Sequence, residues 1–297
     1  MERVDCKIRF GCNNYCKFCV QGDKRERFSD KDLQKIKTEL AEGRKSGARS
    51  LVLTGGEPTL HKKIVKIIEH ARSIGYRRIQ LQTNGRMFYY EDFCRSVIAA
   101  GATEFSPALH GSRPEIHDFL TGAPGSFVQT ARGIRNARKL GVNVVTNSVV
   151  TKSNMRDLPE LAKLLVALGV NQYQFAFVHI LGNAAKNKTW LVPRKTVLEP
   201  WIKKGLDVGI RAGVNVMTEA IPFCFMSGYE DYVAEQVIPQ TMIFDANFKV
   251  DEFNAYRKAQ GKIHGPRCGE CKYCSKCEGP WREYPEMFGW DEFIPVK

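Results

Sequence analysis

Between residues 4 and 178 the chain repeats one alternation, a short apolar run followed by a longer amphipathic one. Val4, Cys6, Ile8 and Phe10 alternate with polar neighbours, which predicts a half-buried strand. Leu51-Val52-Leu53-Thr54 forms a short buried-type strand that Gly55 and Gly56 interrupt. Further strands are predicted at 79–85, 105–111, 144–150 and 172–178. Amphipathic helices are predicted between them at 30–45, 62–73, 90–100, 126–140 and 155–168. Strands alternating with helices imply a parallel sheet. About six such units predict an α/β chain curled into a partial (β/α)6 TIM-like barrel. Beyond residue 220 the alternation breaks up and cysteines gather. This predicts a barrel over 1–220 and a short C-terminal cysteine-rich extension over 221–297. Chemistry in such barrels sits at the C-terminal strand ends. Cys12, Cys16, Cys19, Glu57, Asn84, His110 and Asn147 all fall there, so they are expected to meet at one mouth.

Composition narrows the class. A hydrophobic content of 43% with 10% aromatics suits a globular core. No apolar run approaches the ~20 residues of a membrane helix. Met1-Glu2-Arg3 is too charged to open a signal peptide, so the expected location is cytoplasmic, with no membrane partner. A net charge of +13 favours anionic partners such as nucleotides, RNA or phosphorylated metabolites. Lys24, Arg25 and Arg27 are expected to rim the mouth, as are Lys186, Lys188, Arg194 and Lys195 further on. The cations are nonetheless spread along the chain, as on a solvated surface, and no stacked-aromatic RNA motif is present.

The densest chemistry lies in Phe10-Gly11-Cys12-Asn13-Asn14-Tyr15-Cys16-Lys17-Phe18-Cys19. Three thiolates on one short loop can hold three corners of a four-iron, four-sulfur cube, leaving the fourth iron free for another ligand. A zinc knuckle would need a fourth ligand close by, and Cys6 lies in a strand instead. This C-x3-C-x2-C spacing resembles the signature of the radical S-adenosylmethionine (radical SAM) superfamily. The second segment in keeping with that family is Thr54-Gly55-Gly56-Glu57-Pro58.

The resemblance implies that the open iron is chelated by the amino and carboxylate groups of S-adenosylmethionine. Phe18, the aromatic residue before the last cysteine, belongs to the implied cofactor-binding set. Gly55, Gly56 and Glu57 would contact the methionine amino group of the cofactor, with Glu57 accepting from its ammonium. Asn84 and Asn147 would lie at the cofactor end of the third and fifth strands. Ala108 replaces a serine common in the family, and Ser106 is the available substitute for a ribose contact. The implied chemistry is one-electron cleavage of S-adenosylmethionine to methionine and a 5′-deoxyadenosyl radical, which abstracts hydrogen from a substrate carbon. An external low-potential donor of flavodoxin or ferredoxin type is implied as well.

A second concentration is Cys268-Gly269-Glu270-Cys271-Lys272-Tyr273-Cys274-Ser275-Lys276-Cys277. Four cysteines this close signal a metal, either structural zinc or iron–sulfur. The segment resembles the SPASM or twitch extension of radical SAM enzymes, which holds an auxiliary cluster. That resemblance implies a second [4Fe-4S] cluster on Cys268, Cys271 and Cys277, with Cys224 or Cys274 as fourth ligand. Trp281 and Tyr284 are expected to pack around it, and Cys6 and Cys94 to be small core residues. The extension points to a peptide- or protein-modifying maturase. Only eleven residues precede Cys12, which leaves little room for a leader-binding domain. The charge favours modification of a nucleotide, cofactor or tRNA base. A non-catalytic iron–sulfur electron carrier is the reading of another class, and it has no use for the Gly55-Gly56-Glu57 segment.

Overall fold

The computed structural model describes residues 1–297. Seven strands run parallel in sequence order: β1 (Arg3–Arg9), β2 (Ser50–Gly55), β3 (Arg78–Thr83), β4 (Glu104–Pro107), β5 (Asn143–Val150), β6 (Gln172–Phe177) and β7 (Asn215–Glu219). Helices connect them: α1 (Leu33–Lys45), α2 (Ile64–Ser73), α3 (Glu91–Ala100), α4 (Pro114–Thr121), α5 (Ser126–Lys139), α6 (Leu158–Ala167) and α7 (Lys195–Arg211). The order β7-β6-β5-β4-β3-β2-β1-β8-β9 is that of an open barrel wall, continued past β1 by β8 (Thr241–Phe244) and β9 (Lys249–Val250).

The expected partial barrel is therefore present, with two parallel strands, β7 and β8, more than the six units predicted. β7 was overlooked because Asn215–Glu219 carries two polar ends and little apolar alternation. α7 was overlooked because Pro200 stands inside it and charged residues interrupt its apolar stripe. The chain beyond Ala220 does not leave the barrel. β8 pairs parallel with β1, from Arg3 opposite Thr241 to Cys6 opposite Phe244, so ranges 1–220 and 221–297 share one sheet.

Local chemistry accounts for the helix starts. Asp32 caps α1, accepting from the Lys35 backbone N–H at 2.8 Å. Proline opens α4 and α6 in the first turn, where a missing N–H costs nothing. The helices and strands enclose one continuous apolar core that includes Cys6 and Cys94, both fully buried. Cys6 donates to Glu39 at 3.3 Å rather than facing the cysteine loop.

Candidate active site

β1 delivers the cysteine loop to the C-terminal edge of the barrel, and elements far apart in sequence fix its backbone. Tyr15 N–H donates to Thr121 O at 2.7 Å and Lys17 N–H to Leu120 O at 2.9 Å, both at the end of α4. Asn183 donates from its backbone to Cys19 O at 2.9 Å and from its side chain to Cys16 O at 3.0 Å. Asn187 donates to Lys17 O at 2.8 Å. Arg86 donates to Asn14 Oδ1 at 2.9 Å, and Arg25 donates to Asn14 O while stacking on the Tyr15 ring at 4.1 Å. Gly182 adopts φ +55°, and a Cβ there would come within 2.6 Å of Cys19 O, so the close approach needs glycine.

The three thiols are half-buried. Burial pushes all three up, and the Arg25 cation opposes that shift at each. Cys12 Sγ accepts from Asn14 N–H at 3.4 Å and from the Asn84 amide at 3.8 Å.

The Gly55-Gly56-Glu57 segment reaches the loop differently from the sequence expectation. The close approach that needs glycine is to protein backbone. A Cβ on Gly55, whose φ is +131°, would sit 2.1 Å from Arg9 O, and one on Gly56 would sit 2.4 Å from Phe10 O. Gly56 N–H donates to Arg9 O at 2.7 Å and Glu57 N–H to Gly11 O at 2.9 Å.

Glu57 is completely buried, and its carboxylate is spent inside the protein. One oxygen accepts from Thr59 N–H (3.1 Å), Thr59 Oγ1 (2.5 Å) and Thr83 Oγ1 (2.6 Å). The other accepts from Asn84 N–H at 2.7 Å. Through these bonds Glu57 ties the ends of β2 and β3 together. Burial raises its pKa, against the pull of those hydrogen bonds.

Phe18 is buried, edge-on to His110 with ring centroids 4.7 Å apart. His110 is buried too and accepts from Val149 N–H at 3.1 Å. Asn84 remains at the loop, its amide donating to Asn13 Oδ1 at 2.6 Å. Ser106 and Asn147 face the barrel lumen, a cavity of about 620 Å³, and Asn147 Oδ1 has no partner there.

The expected basic rim is also partly consumed. Lys24 pairs with Asp245 at 2.7 Å, and Arg27 pairs with Asp23 at 3.2 Å. Lys195 is not on the rim: it is buried, donating to Ala220 O at 3.0 Å with its ammonium 3.2 Å from the centre of the Phe177 ring. Lys186, Lys188 and Arg194 remain exposed.

Cys224, Cys268, Cys271, Cys274 and Cys277 line one second pocket together with His264. Burial pushes Cys224 up to about 12, and the nearby Cys277, Cys268 and Cys271 push in the same direction. Backbone N–H groups point at two of these sulfurs, Gly265 to Cys268 and Gly279 to Cys277, each at 3.3 Å. Cys274 sits at the exposed edge, 3.9 Å from His264 Nδ1. No three Cys, His, Asp or Glu side chains in the chain converge on a point that one ion could fill. Trp281 and Tyr284 pack as expected, Trp281 stacking on His179 with centroids 3.8 Å apart and Tyr284 fully buried.

Residues 7–165 match the Radical SAM superfamily, and the chain belongs to it. Its cofactors are accordingly a [4Fe-4S] cluster and S-adenosylmethionine. A probable GTP 3′,8-cyclase of Saccharolobus solfataricus is 29% identical over 186 residues, which cover 61% of this chain and 58% of that relative. The chain thus spans little more than half the length of the cyclases it matches. An AdoMet-dependent heme synthase of Oleidesulfovibrio alaskensis is 27% identical, covering 92% of this chain and 80% of that protein. In fold the chain is similar to anSMEcpe with bound AdoMet (TM-score 0.71, 16% identity, 100% of this chain and 93% of that one). It is similar likewise to Streptococcus suis SuiB bound to S-adenosylmethionine (TM-score 0.69, 14% identity, 99% and 76%). No helix is long and apolar enough to cross a membrane.

Proposed function

We propose that the chain is a radical SAM maturase acting on a peptide, with Cys12, Cys16 and Cys19 holding the S-adenosylmethionine cluster and a second cluster in the extension. The observation that carries the choice of substrate is the charge balance of the lumen. Its walls present Arg3 and Arg78 against Asp5 and Glu104 near the N-terminal starts of β1, β3 and β4, the end of the barrel away from the cysteine loop, with Arg257 and Glu219 beside them. Arg78 pairs with Glu104 at 2.7 Å and Arg257 with Glu278 at 2.6 Å. Arg3 alone of these arginines has no carboxylate partner, its guanidinium donating to Thr241 Oγ1 at 3.0 Å, so the lumen offers few of the unpaired cations that a triphosphate needs. Gln80, Gln82, Gln174 and Asn147 line the same space, and carboxamides suit the donors and acceptors of a peptide backbone.

When bound, the reduced cluster supplies the electron that splits S-adenosylmethionine into methionine and the hydrogen-abstracting 5′-deoxyadenosyl radical. The chain's own residues fix the geometry for that step. Asn183, Asn187 and Arg86 hold the cysteine loop, and Glu57 holds the ends of β2 and β3 against it. Ser106 and Asn147 are the polar groups facing the lumen where a ribose or substrate amide would bind. For the second cluster, Cys224 is favoured over Cys274 as the fourth ligand beside Cys268, Cys271 and Cys277, because Cys274 lies 3.9 Å from His264 Nδ1 while Cys224 shares the pocket without such a partner.

A second reading rests on the curated relatives, a GTP cyclase over part of the chain and a heme synthase over most of it. The test is 5′-deoxyadenosine formation by the reduced enzyme offered a degenerate peptide library, GTP or a metalloporphyrin. The proposal expects stimulation by peptides; stimulation by GTP or the porphyrin alone overturns it.

A further inference from the structure

The outer face of the cysteine loop carries an unusual concentration of exposed apolar side chains. Tyr15 is 66% exposed, Phe119 49%, Leu181 43%, Val20 40% and Trp190 39%. They come from three segments that the hydrogen bonds of the loop already tie together: the loop itself, the end of α4, and residues 181–190. Phe119 and Trp190 meet edge to face, with centroids 5.9 Å apart, and both remain open to solvent. Exposed aromatics gathered on one face mark an interaction site.

Cations surround them. Lys17 Nζ lies 5.0 Å from the Phe119 ring centre, and Arg25 covers Tyr15. Lys186 and Lys188 are exposed on the segment that carries Trp190. On α4, Asp118 is turned inward, accepting from Gly125 N–H and Phe127 N–H at 2.7 Å each, while Glu115, one turn before Phe119, is exposed with Arg113 3.9 Å away. Asp23 is engaged by Arg27. The face is apolar at its centre with cations outnumbering Glu115 around it, and its segments are bonded to the backbone of Tyr15 and Lys17, which flank Cys16 in sequence.

We propose that this face docks a small acidic electron-carrier protein, with Phe119 and Trp190 as the apolar anchor and Lys186 and Lys188 as steering charges. The inference rests on the reading that Cys12, Cys16 and Cys19 hold the reducible cluster. The step balances as one electron leaving the reduced carrier and entering the oxidised cluster, with no bond made or broken. Charge complementarity selects an acidic partner and speeds encounter. A small patch suits the limited interfaces of transient redox pairs. The competing occupant is a segment of the substrate peptide.

The test uses the reconstituted full chain, a reduced flavodoxin as probe, and two variants, F119S/W190S and K186E/K188E. Flavodoxin affinity and the stopped-flow rate of cluster reduction are read beside dithionite-driven 5′-deoxyadenosine formation. Both variants are expected to keep the dithionite-driven rate and to bind flavodoxin at least about tenfold more weakly, the scale of losing anchor residues. The charge variant should lose its deficit in high salt. Wild-type affinity and reduction rate in both variants overturn the proposal. So does a raised KM for the peptide under dithionite with flavodoxin binding unchanged, which assigns the face to substrate. If F119S/W190S fails to fold, K186E/K188E, altered only at exposed lysines, decides alone. A wild-type chain that shows no cluster at the loop refutes the underlying reading, whereas intact dithionite-driven cleavage with unaltered flavodoxin binding refutes only the docking face.

Discussion

The two cysteine-rich regions are built on opposite plans. The loop at Cys12–Cys19 is gripped by residues more than a hundred positions away: Leu120, Thr121, Asn183 and Asn187 all bond its backbone. The region at Cys268–Cys277 is held mainly by its own turns, with Cys271 N–H donating to Cys268 O, Cys274 N–H to Cys271 O and Cys277 N–H to Tyr273 O. Its longer-range ties include Lys272 N–H to Val296 O, Tyr273 Oη to Glu230 at 3.2 Å, the Tyr273 ring stacked on Phe223 and the pocket shared with Cys224. A site gripped by the whole barrel is organised before any metal arrives. A site made of local turns gains more of its order from the metal, because binding then supplies folding free energy. The difference fits the tasks proposed: one loop must present an open iron in fixed geometry, while the other need only enclose its cluster.

The largest way to break this contrast is through Glu57. Glu57→Ala leaves the Thr59 and Thr83 hydroxyls and the Asn84 N–H without their buried acceptor. It is expected to lower stability by about 3 kcal/mol or more, measured as the denaturant midpoint. Unchanged stability with weakened S-adenosylmethionine binding would assign Glu57 the ligand-contact role. Next in size is the fourth ligand of the second site. Cys224→Ala should lose roughly half of the bound iron, four of about eight per chain, while Cys274→Ala should keep it; the reverse result would move the site to the ten-residue segment alone. Removing iron should then sharpen the contrast by hydrogen exchange. Amides of residues 268–277 should exchange roughly tenfold faster, equivalent to about 1.4 kcal/mol, while those of Tyr15, Lys17 and Cys19 stay protected. Equal loss at both sites would show that the barrel does not pre-order its loop.

The smallest expected effect is acid sensitivity of the barrel wall. Burial, then neighbouring His117, holds His110 well below the usual histidine range; burial, then Arg86, holds His117 at about 3. Both folded values lie below the unfolded one. The stability they contribute is thus fully present above about pH 6.5 and is lost as pH falls towards the folded values. Denaturation of the metal-free chain should show a loss of roughly 1 kcal/mol between pH 7 and pH 6. A flat profile there would mean that the two imidazoles are not buried neutral.

Much of the barrel was legible because its helices announce themselves by period. The run expected at 126–140 is a helix from Ser126 to Lys139, and that expected at 90–100 runs from Glu91 to Ala100. β8 could not be read, since Thr241–Phe244 is four buried residues with no alternation, and its pairing with β1 is a long-range event. The cysteines were legible as chemistry because their spacing is local. The clamps on them were not: Asn183, Arg86 and the buried carboxylate of Glu57 act through contacts that the sequence does not bring side by side. The four internal donors to Glu57 come from Thr59, Thr83 and Asn84, and nothing in the spacing of the motif announces them. Lys195 shows the same limit, a lysine in a polar stretch that the fold turns inward onto Phe177.

The most direct test of the two-cluster account is iron, sulfide and zinc per chain in anaerobically reconstituted protein, with paramagnetic resonance spectra of the reduced form with and without S-adenosylmethionine. The account predicts about eight irons and two four-iron signals, of which only the one that disappears in Cys16→Ala shifts on adding the cofactor. About four irons with about one zinc, or a cofactor-sensitive signal that survives Cys16→Ala, would contradict it.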